Sequence, residues 1–353
     1  MKKIHNDNIT DSCGYLHESF LFPSEIIKGR GAAGTVIPDK EGCAVIGDSF
    51  VLRQFADAFT GNENVLKVLF SGSINPAEFF RVKTVIMESK VREIIGMGGG
   101  KCMDLCKLIK RDLPGIRLIL IPTSAATCAP CTPVSVMYDK YGEYQNTMDS
   151  VLPDKLIIDY TYFDTLPMGF FAAGLADAAC KYFETIQASG KTYNIPVQDA
   201  VVLSIGAAST AVIFNEISGK FQNPESGLKE EMADLNIIHS GMMSCMGRYS
   251  GTSYAAHAFA HAMTASKGAR EFLHGEHAAM GLLFQETAAE TKRDAEIKEL
   301  FSCFDLPLKL SAFNIKENEI DEIVAKYRKI EAAEKINLQI SSELMYNIIK
   351  QLY

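Results

Sequence analysis

No run of about 20 consecutive apolar residues, the length that crosses a bilayer, occurs in this 353-residue sequence, so a membrane-spanning role is not expected. Blocks of Lys and Arg are also missing. The 35 basic residues are dispersed among 43 acidic ones, giving a net charge of -8 and a pI near 5.5, which argues against nucleic acid as a partner. The nine cysteines are odd in number and lack framework spacing, so reduced thiols are expected rather than disulfides. The polar start MKKIHNDNITDSCGYLHESF has no apolar stretch of the kind that marks a secretory signal, and the expected location is cytoplasmic. No GxSxG nucleophile elbow is present, and His274-Gly-Glu-His277 has the wrong spacing for the HExxH metalloprotease helix. What remains is a globular composition, 47% hydrophobic and 22% charged with mean hydropathy +0.04, on a chain long enough for two domains.

The first half alternates short apolar runs with amphipathic segments, the pattern of parallel strands joined by crossover helices. Strands are predicted over Gly42–Asp48, Asn64–Gly72, Val91–Gly96, Arg117–Pro122 and Lys155–Tyr160, with a hairpin over Val134–Gln145 turning at Tyr141–Gly142. Helices are predicted over Ser49–Phe59, over Pro76–Lys90 with its initial proline, and after the glycines near position 100. From about Pro167 strand signals stop, and Ala-rich and Met-rich stretches read as helices over Gly169–Ala188, Val197–Phe214, Leu228–Arg248 and Ser253–Met263. An α/β domain over residues 1–165 followed by an all-helical domain over 166–353 is expected, with chemistry in the cleft between them.

Gly96-Met-Gly-Gly-Gly-Lys101 sits between a predicted strand and a predicted helix. Glycines there let the backbone approach a phosphate, and free N–H groups at the helix start supply donors. The same glycines would also serve a tight turn that needs positive φ. No Ser or Thr follows Lys101, so the run is not a P-loop. Asp48, at the end of the first predicted strand, can accept hydrogen bonds from an adenosine ribose and repel a 2′-phosphate, favouring NAD; it can equally cap the helix that follows. It precedes the glycines, which reverses the order of an ordinary Rossmann fingerprint.

Five of the seven histidines lie between positions 239 and 277. His257 and His261 are four apart on one predicted helix and share a face, and His274 begins the next apolar segment, so the three can line one cavity and hold a divalent ion. An anionic ligand must come from elsewhere. Asp177, a charge amid small and apolar helical residues, is the candidate, because coordination would offset the cost of burying it. Cys128-Ala-Pro-Cys131 has the CxxC spacing of redox or zinc sites, but without a second pair ordinary thiols lining a cleft are the simpler reading.

Taken in order, the motifs FPSEIIKGRGA, VIGD ending at Asp48, GMGGGKCMD, IPTSAAT, APCTPVSVMY, AAGLADA, AAHA and HGE resemble the iron-containing alcohol dehydrogenase superfamily, most closely its glycerol dehydrogenase-like branch. The resemblance covers nearly the whole chain. It implies a dehydroquinate synthase-like architecture, an α/β nucleotide-binding domain followed by a helical metal-binding domain. It places Gly98, Gly99, Gly100 and Lys101 at the NAD diphosphate and Asp48 at the ribose. Thr123, Ser124, Thr132, Val134 and Tyr138 would continue the cofactor cleft, and Asp177, His257 and His274 would be the metal ligands, for zinc first and iron second. A homo-oligomer is implied as well.

Four positions depart from that pattern. Cys128 stands where glycerol dehydrogenases usually carry an Asp that contacts the polyol, as in hydroxycarboxylate-reducing relatives. His277 replaces the usual Lys of HGEK. His261 matches a histidine near the substrate in the longer iron-dependent enzymes, while Lys181 replaces their fourth ligand. The implied reaction is metal-dependent hydride transfer between NAD and a small secondary alcohol or polyol, with Cys128 in the substrate pocket and His261 relaying a proton. The alternatives are a reductase of 2-oxo acids and a dehydroquinate synthase-like lyase; Asp177 in place of the lyases' usual Glu, and the sparse basic residues, count against the lyase.

Overall fold

Strands buried on both faces of a parallel sheet need apolar side chains at successive positions rather than alternate ones. The computed structural model, which describes residues 9–10, 16–17, 21–36, 42–54, 65–189, 197–247, 254–334, 336 and 338–353, shows that pattern. Apart from the short antiparallel pair Ile9–Thr10 and Leu16–His17, its strands are Ile26–Gly29 (β1), Cys43–Gly47 (β2), Leu66–Leu69 (β3), Glu93–Gly98 (β4), Arg117–Pro122 (β5), Val134–Tyr138 (β6), Tyr144–Asp149 (β7) and Lys155–Asp159 (β8). Every residue of β2 and β4 is buried. Six strands form one parallel sheet in the order β1-β8-β5-β4-β2-β3, and β6 and β7 make a separate antiparallel hairpin.

From β2 the chain moves outward to β3, then returns to β4 on the other side of β2 and continues away to β5. That reversal opens a crevice at the carboxyl ends of β2 and β4, where open α/β sheets bind ligands. The register brings those ends level: Ile46 pairs with Gly96 and Gly98 with Pro122, and the Thr123 N–H donates to the Gly98 carbonyl at 2.9 Å. Asp48 and the glycine cluster therefore stand on adjacent strand ends, although about 50 residues separate them in the chain.

Ser49–Gln54 (α1), Pro76–Glu88 (α2) and Gly100–Asp112 (α3) are the helices of the sheet half. The Asn75 side chain caps α2 by accepting from the Glu78 N–H, and Pro76 opens it. Met97 and Gly98 belong to β4, so the strand runs two residues further than its pattern predicts. β1, at the sheet edge with one neighbour, is too short to give a periodic signal. The parts of the predicted first helix beyond Gln54 lie outside the described residues, as do Arg248 and Ser253.

Beyond Asp159 the described residues form no further sheet. The helices are Met168–Ser189 (α4), Val197–Val212 (α5), Leu228–Asp234 (α6), Ser240–Gly247 (α7), Ala255–Met263 (α8), His274–Ala288 (α9), Asp294–Cys303 (α10), Ile320–Ala333 (α11) and Ser342–Leu352 (α12). The helix predicted over 228–248 is interrupted by a π-helical turn at Leu235–His239, and α5 ends in another at Ile213–Ile217. The run Ala200–Ile217 is apolar enough by composition to cross a membrane; here its Val202, Gly206 and Ile213 side is buried, and α5 packs on α4 and α7.

One apolar cluster runs from a sheet face into the helices, joining Ile94, Leu120 and Leu156 to Phe171, Leu175 and Phe259, and a smaller one lies on the opposite face. Asn236, within the π-helical turn, fastens the two halves. It is fully buried and its Nδ2 donates to Ala125 O at 2.7 Å, after β5, and to Phe171 O at 3.1 Å, in α4. Asn236→Ala would leave both carbonyls without that donor, and a loss of about 2 kcal/mol in urea unfolding is expected; a change below about 0.5 kcal/mol would show that the junction is held elsewhere.

Candidate active site

Asp177, Lys181 and Glu184 are spaced four and seven residues along α4 and project from one face. Both carboxylates are buried, Glu184 completely. The His257 face of α8 and the start of α9 close over them. Glu276 fixes where α9 begins, because its carboxylate accepts the Leu273 N–H and makes His274 the first helical residue. Gly275 sets the depth of contact: a Cβ there would lie 1.7 Å from the Ala173 carbonyl oxygen, so only glycine lets α9 press against α4.

The result is a tight donor cluster. His257 Nε2 lies 3.2 Å and His274 Nε2 3.8 Å from Asp177 Oδ1, and the three donor atoms fall within 4.8 Å of one another. A tetrahedral zinc ion with bonds of about 2.1 Å holds its donors about 3.4 Å apart, so the ligands need only small inward shifts. Behind His257, Glu184 receives Nδ1 at 2.7 and 2.8 Å and also the His257 backbone N–H at 3.0 Å. A carboxylate so placed holds the ring with Nε2 toward the cluster.

The charged groups of the cluster are tightly coupled. Burial disfavours charge on His257, but Glu184 and Asp177 outweigh it and push its pKa up to about 10. Burial raises the pKa of Asp177, and Lys181, with help from both imidazoles, holds it well below the usual carboxylate range nonetheless. His274 goes the other way: burial, against the pull of Asp177, lowers it to about 3. Two buried carboxylates thus meet one ammonium and one imidazole of raised basicity, and a divalent cation held by Asp177, His257 and His274 would take the place of the imidazole's proton. Among the described residues this is the one group of three or more His, Cys, Asp or Glu side chains arranged for a metal.

His261 stands beside the cluster rather than in it. Its ring stacks on Tyr144 of β7, centroids 3.9 Å apart, and lies 5.5 Å from the His274 ring. Burial and the neighbouring histidines hold its pKa well below the ordinary value, leaving a neutral imidazole at neutral pH. His277 is engaged otherwise: Nε2 lies 2.8 Å from Ala269 O and the ring packs on Phe313.

A cavity of about 980 Å³ runs from the sheet rim to the cluster. Asp48, Gly99, Gly100 and Lys101 line its rim end, Thr123, Ser124, Thr132, Val134 and Tyr138 its wall, and Cys128, Asp177, His257, His261 and His274 its far end. Gly98 lies behind this surface with φ 153°, and a Cβ there would meet Cys102 Cβ at 2.9 Å. The start of α3 at Gly99 has no side-chain cap, which leaves its amides to the cleft. Asp48 Oδ1 accepts the Phe50 and Val51 N–H groups at 2.9 Å, so it caps α1 while also facing the cleft. Cys128 Sγ lies 3.6 Å from Ser244 Oγ, and Cys131 is buried under Gly241 and accepts from Cys245. The eight cysteines of the described residues are free.

Two participants escape sequence reasoning. Glu184 could have been suspected from its place two helical turns after Asp177. Lys107 is fully buried, pairs with Asp104 Oδ1 at 2.9 Å, and donates to Ala129 O at 2.7 Å, Thr132 O at 2.9 Å and Val134 O. It thereby staples to α3 the loop that carries Cys128 and Thr132. Replacing Glu184 by Gln keeps the shape but removes the charge behind His257. Metal affinity, read by competition with a chromogenic chelator, should fall about 10- to 100-fold; unchanged affinity would show that Glu184 does not orient the ring.

The family model for iron-containing alcohol dehydrogenase matches residues 23–160. Glycerol dehydrogenase of Escherichia coli O6:H1 is 29% identical over 321 residues, covering 84% of this chain and 82% of its own. Glycerol dehydrogenase of Thermotoga maritima is 27% identical over 299 residues, 80% of each chain. The crystal structure of a probable glycerol dehydrogenase from Sinorhizobium meliloti shares the fold, with TM-score 0.81 over 95% of this chain and 98% of that one at 22% identity. The sheet order, the glycine rim and the buried donor cluster thus stand in a chain whose residues 23–160 match the iron-containing alcohol dehydrogenase model and which is similar over most of its length to glycerol dehydrogenases.

Proposed function

We propose that this protein is a metal-dependent NAD(H) oxidoreductase that interconverts a small secondary alcohol or polyol and its ketone. The observation that carries the reading is that one cavity joins the Gly99–Gly100 helix start to the Asp177, His257 and His274 donors. In this reading Asp177, His257 and His274 hold a divalent ion, zinc first and iron second, since both accept this ligand set. When bound, the ion supplies Lewis acidity that favours the alkoxide, and NAD accepts the hydride.

The chain's own residues do the rest. The uncapped amides of α3 and the Lys101 ammonium, 5.1 Å over the Tyr138 ring, receive the diphosphate, with Asp48 at the ribose to favour NAD over NADP. Thr123, Ser124, Thr132 and Val134 shape the nicotinamide side, and Lys107 fixes their loop. Glu184 orients His257. Neutral His261 accepts the alcohol proton and passes it outward, and Cys128 contacts the substrate. Residues 1–165 serve as the cofactor domain and 166–353 as the metal domain. We take the enzyme to work in the cytoplasm as a homo-oligomer, with neither nucleic acid nor membrane as a partner.

The test follows NADH absorbance with diols, polyols and 2-hydroxy acids after metal loading. Turnover of at least one class is expected, falling by about 100-fold or more on chelation and returning with zinc or iron. Full activity in demonstrably metal-free protein, or no turnover with any class, would overturn the reading.

A further inference from the structure

The far end of the cavity has a second polar corner, built on Lys181. This residue follows Asp177 by one turn of α4, lines the cavity, and has a side chain only 13% exposed. Its ammonium carries three N–H donors. Asp177 supplies both of the acceptors found among the described residues, Oδ2 in an ion pair and the backbone carbonyl at 3.4 Å. The third donor is left for the cavity.

The two oxygens of Asp177 divide their work. Oδ1 faces His257 and His274, and Oδ2 takes Lys181, so the ammonium does not occupy the place of the cation. It does stand next to it. A group bound by Lys181 would therefore lie beside whatever Asp177, His257 and His274 hold.

The rest of the corner is neutral or spoken for. Cys128 and Ser244 contribute a thiol and a hydroxyl 3.6 Å apart, and both line the same cavity as Lys181. Glu184 is turned to His257. With a divalent ion bound, the charges of Asp177 and Glu184 are met in full and the Lys181 charge is left over. An anion at that position would be attracted into a site of low dielectric, while a neutral hydroxyl gains much less.

We infer that Lys181 is a specificity-determining residue that binds a substrate carboxylate adjacent to the reacting carbon, so that small 2-oxo acids and 2-hydroxy acids are preferred to neutral polyols. The inference rests on the hydride-transfer reading above and narrows its substrate. In the reducing direction hydride passes from NADH to the 2-carbon, the carbonyl π pair moves onto oxygen and takes up a proton, and 2-hydroxy acid and NAD result. Lys181 exchanges no proton in this step; it places the carboxylate.

The experiment compares pyruvate with hydroxyacetone, a neutral ketone of the same size, on metal-loaded wild type, Lys181→Met and Lys181→Arg. Binding of oxamate, an unreactive 2-oxo acid mimic, to the enzyme with NADH is read in parallel by nucleotide fluorescence. Wild type should favour pyruvate by about tenfold or more in kcat/KM. Lys181→Met should raise the oxamate Kd by about 30-fold and lower the pyruvate-to-hydroxyacetone ratio of kcat/KM by about tenfold or more, and Lys181→Arg should recover most of both.

Metal content is measured in each variant because Lys181 touches Asp177. Cys128→Asp, which leaves Asp177 and its partners alone, supplies a second arm: a carboxylate facing the corner should weaken oxamate by about tenfold or more. A wild-type preference for hydroxyacetone, equal losses on both substrates, or oxamate binding that ignores both Lys181→Met and Cys128→Asp would overturn the inference while leaving the dehydrogenase reading intact. Turnover of neither substrate, with NADH and metal bound, would instead count against the dehydrogenase reading, and the oxamate arm would still decide the role of Lys181.

Discussion

A buried carboxylate on an apolar helix is the constraint around which this molecule is arranged. Asp177 lies among Ala172, Ala173, Ala176, Ala178 and Ala179, where an isolated negative charge would cost several kcal/mol. Small residues on α4, α8 and α9 let the helices approach closely enough for His257, His274 and Lys181 to reach it, and glycine at 275 and 281 removes Cβ atoms that would hold α9 away from α4 and α8. Close packing and charge compensation are here the same requirement, because the imidazoles arrive only if the backbones nearly touch.

The sheet supplies the complementary half of the chemistry by topology. The reversal between β3 and β4 leaves open the crevice in which Asp48 and the uncapped start of α3 stand side by side. Asn236 and Lys107 then set the distance from that rim to the helices, each by spending a buried polar group on carbonyls of the loops between. Such groups stabilise little on balance yet cost much if left unpaired, so they select one relative placement. In the proposed function, the reach from the dinucleotide rim to the donor cluster depends on that placement.

How much of this could be read from the sequence differs with the range of the interaction. The apolar runs of β2, β4, β5 and β8 and the helical periodicity after Pro167 are local, and they identify elements to within a few residues. Strand order is not local, so the adjacency of Asp48 and Gly99, which removes the puzzle of their reversed order, becomes visible only in the register. The i,i+4 spacing puts His257 and His261 on one face of α8, but only the hairpin more than 100 residues earlier reveals that His261 stacks on Tyr144 instead of reaching Asp177. The π-helical turn at Leu235–His239 left no trace in the periodicity, since one inserted residue scarcely alters an Ala- and Met-rich pattern. Of the two readings of Asp48, the helix cap is seen, through Oδ1, and the ribose contact belongs to the proposed function.

That Asp177, His257 and His274 hold one divalent ion is most directly tested by anomalous diffraction from metal-loaded crystals at the absorption edge of the metal. A single peak within about 2.3 Å of Asp177 Oδ1, His257 Nε2 and His274 Nε2 is predicted. A peak held by other residues, or none at this position in protein shown to contain the metal, would contradict it.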